Sequence, residues 1–214
     1  MTVLLLKKYS KKKKIIIFSI LLLISVLIVY IIIDQLIFFM NKSDSIKFIK
    51  TYIQYTESVN NLPLDYDTYN INVQKKLIAE KEQEFNDFYE RNYVLNNYNK
   101  ERKINLCEMY KIGLEKRLGK LGAIKEFNIK SVDIMSIYKI PFVSYITVTV
   151  AYDMTYEANG NISCFNGSSI FERQANSIKE TYTESESIQV TFNLKLVNNE
   201  WRILKIPEFE SKNN

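Results

Sequence analysis

Catalysis by side chains needs nucleophiles, proton carriers or metal ligands at workable spacing, and this chain of 214 residues has no histidine. Without imidazole there is no Ser-His-Asp or Cys-His couple, no imidazole pH sensor, and most catalytic zinc sites are excluded. The five glycines stand apart at 113, 119, 122, 160 and 167, so no glycine-rich phosphate loop is present. Two acidic features remain. Glu180, Glu184 and Glu186 are of a type that holds calcium, but they lack the spacing of a compact loop and fall along a strand. They read as solvated charge. Asp153 stands among Thr and Tyr, the setting in which a strand carboxylate can act as a base beside oxyanion-stabilising tyrosines. Alternation along that strand puts Asp153 opposite the core-facing residues, so no catalytic residue is assigned. The expectation is a protein that is not an enzyme, with no cofactor and no metal site.

Cys107 and Cys164 are too few for a disulfide framework, although the two could pair outside a cell. Cys107 also falls on an apolar helical stripe, which suits a buried free thiol equally. Asn41, Asn161 and Asn166 begin Asn-x-Ser triplets, a short pattern that recurs by composition in an Asn-rich chain. Trp201, the one tryptophan, opens the last strand and reads as a packing residue. Fifteen tyrosines and twelve phenylalanines exceed what the inward stripes require. Some are therefore expected on a surface that a partner covers, since aromatics enrich interfaces. Tyr152, Met154, Tyr156, Phe192 and Trp201 are the candidates for a pocket or interface on the sheet.

The elements that position these residues begin with an anchor. Ile15 to Ile33 is an uncharged run of 19 residues, with Leu21 and Leu27 at its centre. As a helix it covers about 28 Å, near the ~30 Å hydrocarbon core of a bilayer. No polar face appears at any period, unlike a soluble core helix. Lys7, Lys8 and Lys11 to Lys14 precede it, which by the positive-inside rule places the N-terminus in the cytoplasm. A cleaved signal is the alternative, but the run is long and the exit DQLIFFMNKS lacks small residues at A-x-A spacing. The organisation expected is a basic cytoplasmic tail over 1–14, a transmembrane anchor over 15–39 and an extracytoplasmic domain over 41–214. Asp34 reads as marking the outer interface, or as a buried carboxylate that pairs within an oligomer.

The net charge of +5 belongs to the tail. Residues 41–214 carry 23 basic and 23 acidic residues, which argues against a nucleic-acid partner. The tail's lysines suit topology and anionic inner-leaflet lipid.

In the outer domain the period is first helical. Residues 44–60 align Ile46, Ile49, Tyr52, Ile53, Thr56 and Val59; residues 71–96 align Val73, Leu77, Ile78, Phe85, Phe88 and Tyr89. Residues 100–118 align Ile104, Cys107, Leu114, Leu118 and Leu121, with Gly119 and Gly122 ending the helix. The period then becomes two. Residues 124–138 form a strand with a bulge near Lys130–Ser131. Residues 145–157 turn Ile146, Val148, Val150, Tyr152, Met154 and Tyr156 inward. Residues 186–206 form a hairpin around Asn198-Asn199-Glu200, with Ile188, Val190, Phe192, Leu194 and Leu196 inward. Between them, ANGNISCFNGSS reads as a mobile hairpin tip, and FERQANSIKETYTESES as the start of a long bent strand. About three helices followed by about four antiparallel strands define an α+β domain.

The closing FNLKLVNNEWRILKI, an alternating strand, an Asn-rich turn, then Trp and alternating aliphatics, resembles the end of nuclear-transport-factor-2-like domains. That resemblance implies helices packed on a curved antiparallel sheet, a cystatin-like cone. A basic tail, one anchor and such a domain resembles the inner-membrane assembly factors of type IV secretion and conjugation systems. It implies a non-catalytic, membrane-anchored scaffold, a homo-oligomer contacting other proteins of an envelope complex, foremost a Gram-positive conjugative transfer channel. The alternatives are an anchored sensor for a small apolar ligand or cell-wall fragment, or a sporulation or cell-envelope component.

Overall fold

A computed structural model describes residues 11–63, 66–118, 122–173 and 181–205. Lys7, Lys8, Gly119, Leu121 and Glu180 lie outside them. The chain divides into two compact units, residues 1–42 with 139–143, and residues 43–138 with 144–214. One helix, α1 (Lys11–Asn60), contributes to both. The expected break between the anchor and the helix at 44–60 is absent. Asp34, Gln35 and Asn41 are all tolerated in a helix, and the sequence offers no Pro or Gly there to end it.

In the first unit, α1 presents apolar side chains on every side. Ile15, Leu21, Leu27 and Ile33 are all exposed, and no residue of its most apolar window is buried. By length and composition α1 can cross a membrane, as a single-pass anchor or a signal sequence.

The second unit is α+β. After α1 come a short 3₁₀ turn (Tyr66–Thr68), α2 (Ile71–Asn92) and α3 (Asn97–Glu115). Asn70 and Asn96 cap α2 and α3, each accepting from backbone N–H groups of the first turn. Strands β1 (Gly122–Tyr138), β2 (Ile146–Gly160), β5 (Thr181–Val197) and β6 (Glu200–Lys205) form an antiparallel sheet in the order β1-β2-β5-β6. Strands β3 (Ile162–Phe165) and β4 (Ile170–Arg173) pair separately. The register of β1 slips at Ile129/Ser131, where a bulge was expected, and also at Ile124/Glu126 and Ile134/Ser136. Such slips bend a strand and increase its twist. Asn198 and Asn199 both adopt positive φ, 51° and 64°, the geometry a two-residue hairpin needs and Asn tolerates.

Both sheet edges are partly covered, at Phe127 and Ile129 of β1 and at Ile203 and Leu204 of β6, which shortens the open pairing templates. On β1, Asn61 brackets Phe127, its Nδ2 donating to the carbonyl at 3.0 Å and its Oδ1 accepting from the N–H at 2.9 Å. Glu57 accepts from Ile129 N–H. On β6, Val94 N–H donates to Ile203 O at 2.9 Å, and Asn96 and Asn99 donate to Leu204 O.

Three expected inward faces are corrected. Val73 is exposed and Gln74 is buried in its place, because the Gln74 amide donates to the Tyr66 and Tyr69 carbonyls. In α3, Ile104 is exposed and Cys107 half-buried; the inner face is Leu106, Tyr110, Gly113 and Leu114. That face is set by Gly113, whose missing side chain admits Ser163, and by Tyr110, whose hydroxyl donates to Val59 O. Leu196 is exposed near the hairpin turn.

Candidate functional site

The residues expected to line a pocket on the sheet are core. Tyr152, Met154, Tyr156 and Phe192 are each no more than 1% exposed. The space in front of them is filled by the 158–169 segment, expected as an exposed mobile tip and found as the buried β3–β4 hairpin. Ile162 to Ser168 are all buried.

The hairpin is held by side chains that satisfy its backbone. Asn60 closes a two-bond ring with Phe165, Nδ2 to the carbonyl at 2.6 Å and Oδ1 from the N–H at 2.9 Å. The Tyr52 hydroxyl donates to Gly167 O at 2.6 Å, and that of Tyr152 donates to Asn166 O. Arg117, 1% exposed, donates to Asn60 O at 2.9 Å and Ser163 O at 3.3 Å. Asn166 Oδ1 accepts from Ser168 and Ser169 N–H, and Gly167 supplies the positive φ, 91°, that the turn requires. A buried, capped Asn166 cannot accept a glycan. Nothing in the composition of this segment distinguishes a tip turned inward from one turned outward. The signal lies in its partners, Asn60, Tyr52 and Arg117, which are distant in sequence.

Burial dominates the electrostatics. It pushes the phenols of Tyr52, Tyr93, Tyr110, Tyr152 and Tyr156 well above their ordinary range, so these groups act as neutral donors. It raises the Cys107 thiol to about 11 and that of Cys164 well above its ordinary range, and both cysteines are free. Thiols so raised are not nucleophiles at neutral pH. It also lowers the Arg117 guanidinium.

Asp153 lies on the exposed face of β2, accepting from Ser187 at 2.6 Å and Ser131 at 3.4 Å. Glu184, expected to be solvated, accepts from the Tyr156 hydroxyl at 2.6 Å and pairs with Arg173 at 2.5 Å. Beside it, burial and then the charge of Glu184 raise Glu186. Trp201 is half-buried opposite Leu196. Among the described residues no group of three Cys, Asp or Glu is placed to hold a metal ion.

Two open clefts are found among the described residues of this unit: a more polar one of about 570 Å³ between α2 and α3, lined by Glu82, Lys103, Cys107 and Lys111, and one of about 410 Å³ between α1 and α2. The wall of the α1–α2 cleft is a run of stacked rings. Phe48 lies on Tyr52 (6.3 Å between centroids), Tyr52 on Phe88 (5.1 Å) and Phe88 on Tyr55 (4.8 Å). Asp44, Lys47, Arg91 and Asn92 surround it. An apolar wall with a few charged groups at its margin suits an apolar side chain or small molecule with a polar end. The sequence signal is Phe48 and Tyr55, at i and i+7, flanking Tyr52 of the core-facing stripe at i+4.

The fold and cleft together define an α+β domain that follows a long apolar helix. No protein-family model and no curated protein matches the chain. Among solved structures it is similar to the crystal structure of the intermembrane space region of chloroplast protein ARC6. That match has 5% identity and a TM-score of 0.34, covering 64% of this chain and 94% of that one.

Proposed function

We propose that the protein is a non-catalytic scaffold, held by α1 as a single-pass anchor with its N-terminus cytoplasmic and its α+β domain outside. We assign that domain to the nuclear-transport-factor-2-like class, and the whole to an envelope complex in which it contacts other proteins and further copies of itself. A conjugative transfer channel is the complex its organisation suits best. The observation that carries this reading is the β3–β4 hairpin. It fills the sheet face where a domain of this class would hold a substrate, and the α1–α2 cleft leaves Phe48 and Tyr55 partly open for a partner.

A photoreactive amino acid at Thr51, which is exposed on the cleft wall, tests this in whole cells expressing the full chain. The expected result is a discrete protein adduct, either a second copy or another envelope protein. Labelling confined to lipid or water would overturn the reading.

The cleft's volume favours a second reading, in which the domain senses a small apolar ligand. Sites for such ligands typically enclose about 300–1,000 Å³. Native mass spectrometry of the purified full chain separates the two: a retained small molecule, lost on Phe88→Ala, supports the sensor.

A further inference from the structure

We propose that the tip of the β1–β2 hairpin, Lys139 to Val143, is a second membrane contact, with Ile140 and Phe142 embedded among lipid acyl chains beside α1. The inference rests on reading α1 as membrane-spanning. The tip belongs to the same compact unit as residues 1–42. Two contacts fix its depth. The Lys139 ammonium pairs with the Asp34 carboxylate, and these side chains are only 12% and 16% exposed. The Phe142 ring stacks on Tyr30, with centroids 5.4 Å apart and planes within 5°. Asp34 thus has a partner in its own chain through Oδ1.

Tyr30 precedes Asp34 by four residues, about one helical turn or ~6 Å along the axis. It lies inside the uncharged run that ends at Ile33. A ring stacked on Tyr30 shares its depth, so Phe142 lies on the hydrocarbon side of the ion pair. Ile140 and Phe142 nonetheless remain 52% and 56% exposed, apolar surface that lipid would cover. Phe142 has φ of 69°, a conformation bulky residues rarely adopt, and it is this turn residue that meets Tyr30.

The chemistry of the tip suits the same medium. From Ile134 to Tyr152 the only charged residue is Lys139, and Asp34 offsets that charge. Backbone polar groups inside a membrane need internal partners. Here Pro141 has no N–H, Val143 N–H donates to Ile140 O at 3.2 Å, and Lys139 O accepts from Gln35 at 3.4 Å. Tyr138 and Tyr145 flank the tip, in keeping with tyrosines at membrane interfaces.

Depth-dependent quenching tests the proposal with the full chain in phosphatidylcholine vesicles carrying bromine at defined acyl positions. In a Trp201→Phe background, a single tryptophan is introduced by Phe142→Trp, by Ile140→Trp or, as the anchor reference, by Tyr30→Trp. Both tip variants are expected to emit at short wavelength and to be quenched by shallowly brominated lipid within about twofold of the Tyr30→Trp reference. Unmodified protein, reporting from Trp201, is expected to be unaffected. Quenching of the reference without quenching of either tip variant would overturn the proposal and leave the anchor standing. Quenching of none would overturn the anchor reading, and the proposal with it. A disulfide between two copies of Phe142→Cys, with both tryptophan positions unquenched, would assign the tip to a second copy and refute the lipid contact.

Discussion

Replacing Asn60 by alanine removes the side chain that completes the backbone hydrogen bonding of Phe165. Asn60 and Phe165 are both fully buried, so water cannot substitute without an opening of the structure. Two backbone groups, the N–H and the C=O bonded at 2.9 and 2.6 Å, lose their partner. Each buried polar group left unpaired costs about 1–3 kcal/mol, so the loss is about 2–4 kcal/mol after partial relaxation. The effect is local, because the sheet β1-β2-β5-β6 does not pair through Phe165. Hydrogen exchange under conditions where the rate follows the opening free energy measures it directly. Amides 162–168 in Asn60→Ala are expected to exchange about 30- to 1,000-fold faster than in the parent protein, at ~1.4 kcal/mol per factor of ten. Amides of β5 are expected to change little. The neighbouring Asn61→Ala variant provides the contrast. Its ring is with Phe127 on β1, so faster exchange is expected there and not in the hairpin. Unchanged rates over 162–168 in Asn60→Ala would refute the claim that this side chain holds the hairpin against the sheet.

Other substitutions probe the same packing. A Cβ at position 113 would meet Ser163 Cβ at 2.7 Å and Oγ at 2.8 Å, so Gly113→Ala is expected to cost about 1–3 kcal/mol, lowering Tm by about 3–10 °C. Adding Ser163→Gly should restore most of that loss in the same thermal melt. Arg117→Ala uncovers two buried carbonyls and is expected to cost about 3 kcal/mol in chemical denaturation, with Arg117→Met losing less because the apolar stem still packs. Glu186 is raised first by burial and then by Glu184. A raised native value means its contribution is present below the unfolded value of about 4.3 and is lost as pH rises through the native one. Glu186→Gln is therefore expected to be more stable than the parent at pH 7, with the difference vanishing in acid; a variant that is less stable at both would contradict the assignment.

How far the sequence exposes this structure depends on how far each element's partners lie along the chain. In β2 and β5 the inward residues alternate strictly, and Ile146 to Tyr156 and Ile188 to Leu194 are buried as that pattern requires. The Asn198-Asn199 turn carries its own instruction in residues that accept positive φ. The stripe from Ile49 to Val59 on α1 is likewise core. Polar anchors obscured the rest. Gln74 is buried because two carbonyls await it, whereas apolar Val73 beside it is exposed. The α3 face is set by the fit of Gly113 to Ser163, fifty residues onward, which no local period contains. The β3–β4 hairpin looked like solvent-exposed turn chemistry because its Asn, Gly and Ser residues bond inward as readily as outward. The cleft was half legible. Its rings recur at helical spacing on α1, whereas the period of α2 marks Phe88 only as core, and it serves both roles.

The most direct test of the scaffold reading is the size of the particle the protein forms when extracted from its own membrane at native abundance in a mild detergent. A chain of 25.3 kDa that migrates in a larger, discrete assembly, dispersed by charge substitution at Phe48 on the cleft, is what the account predicts. A monomer unaffected by that substitution, with no protein cross-linked to the domain, would contradict it.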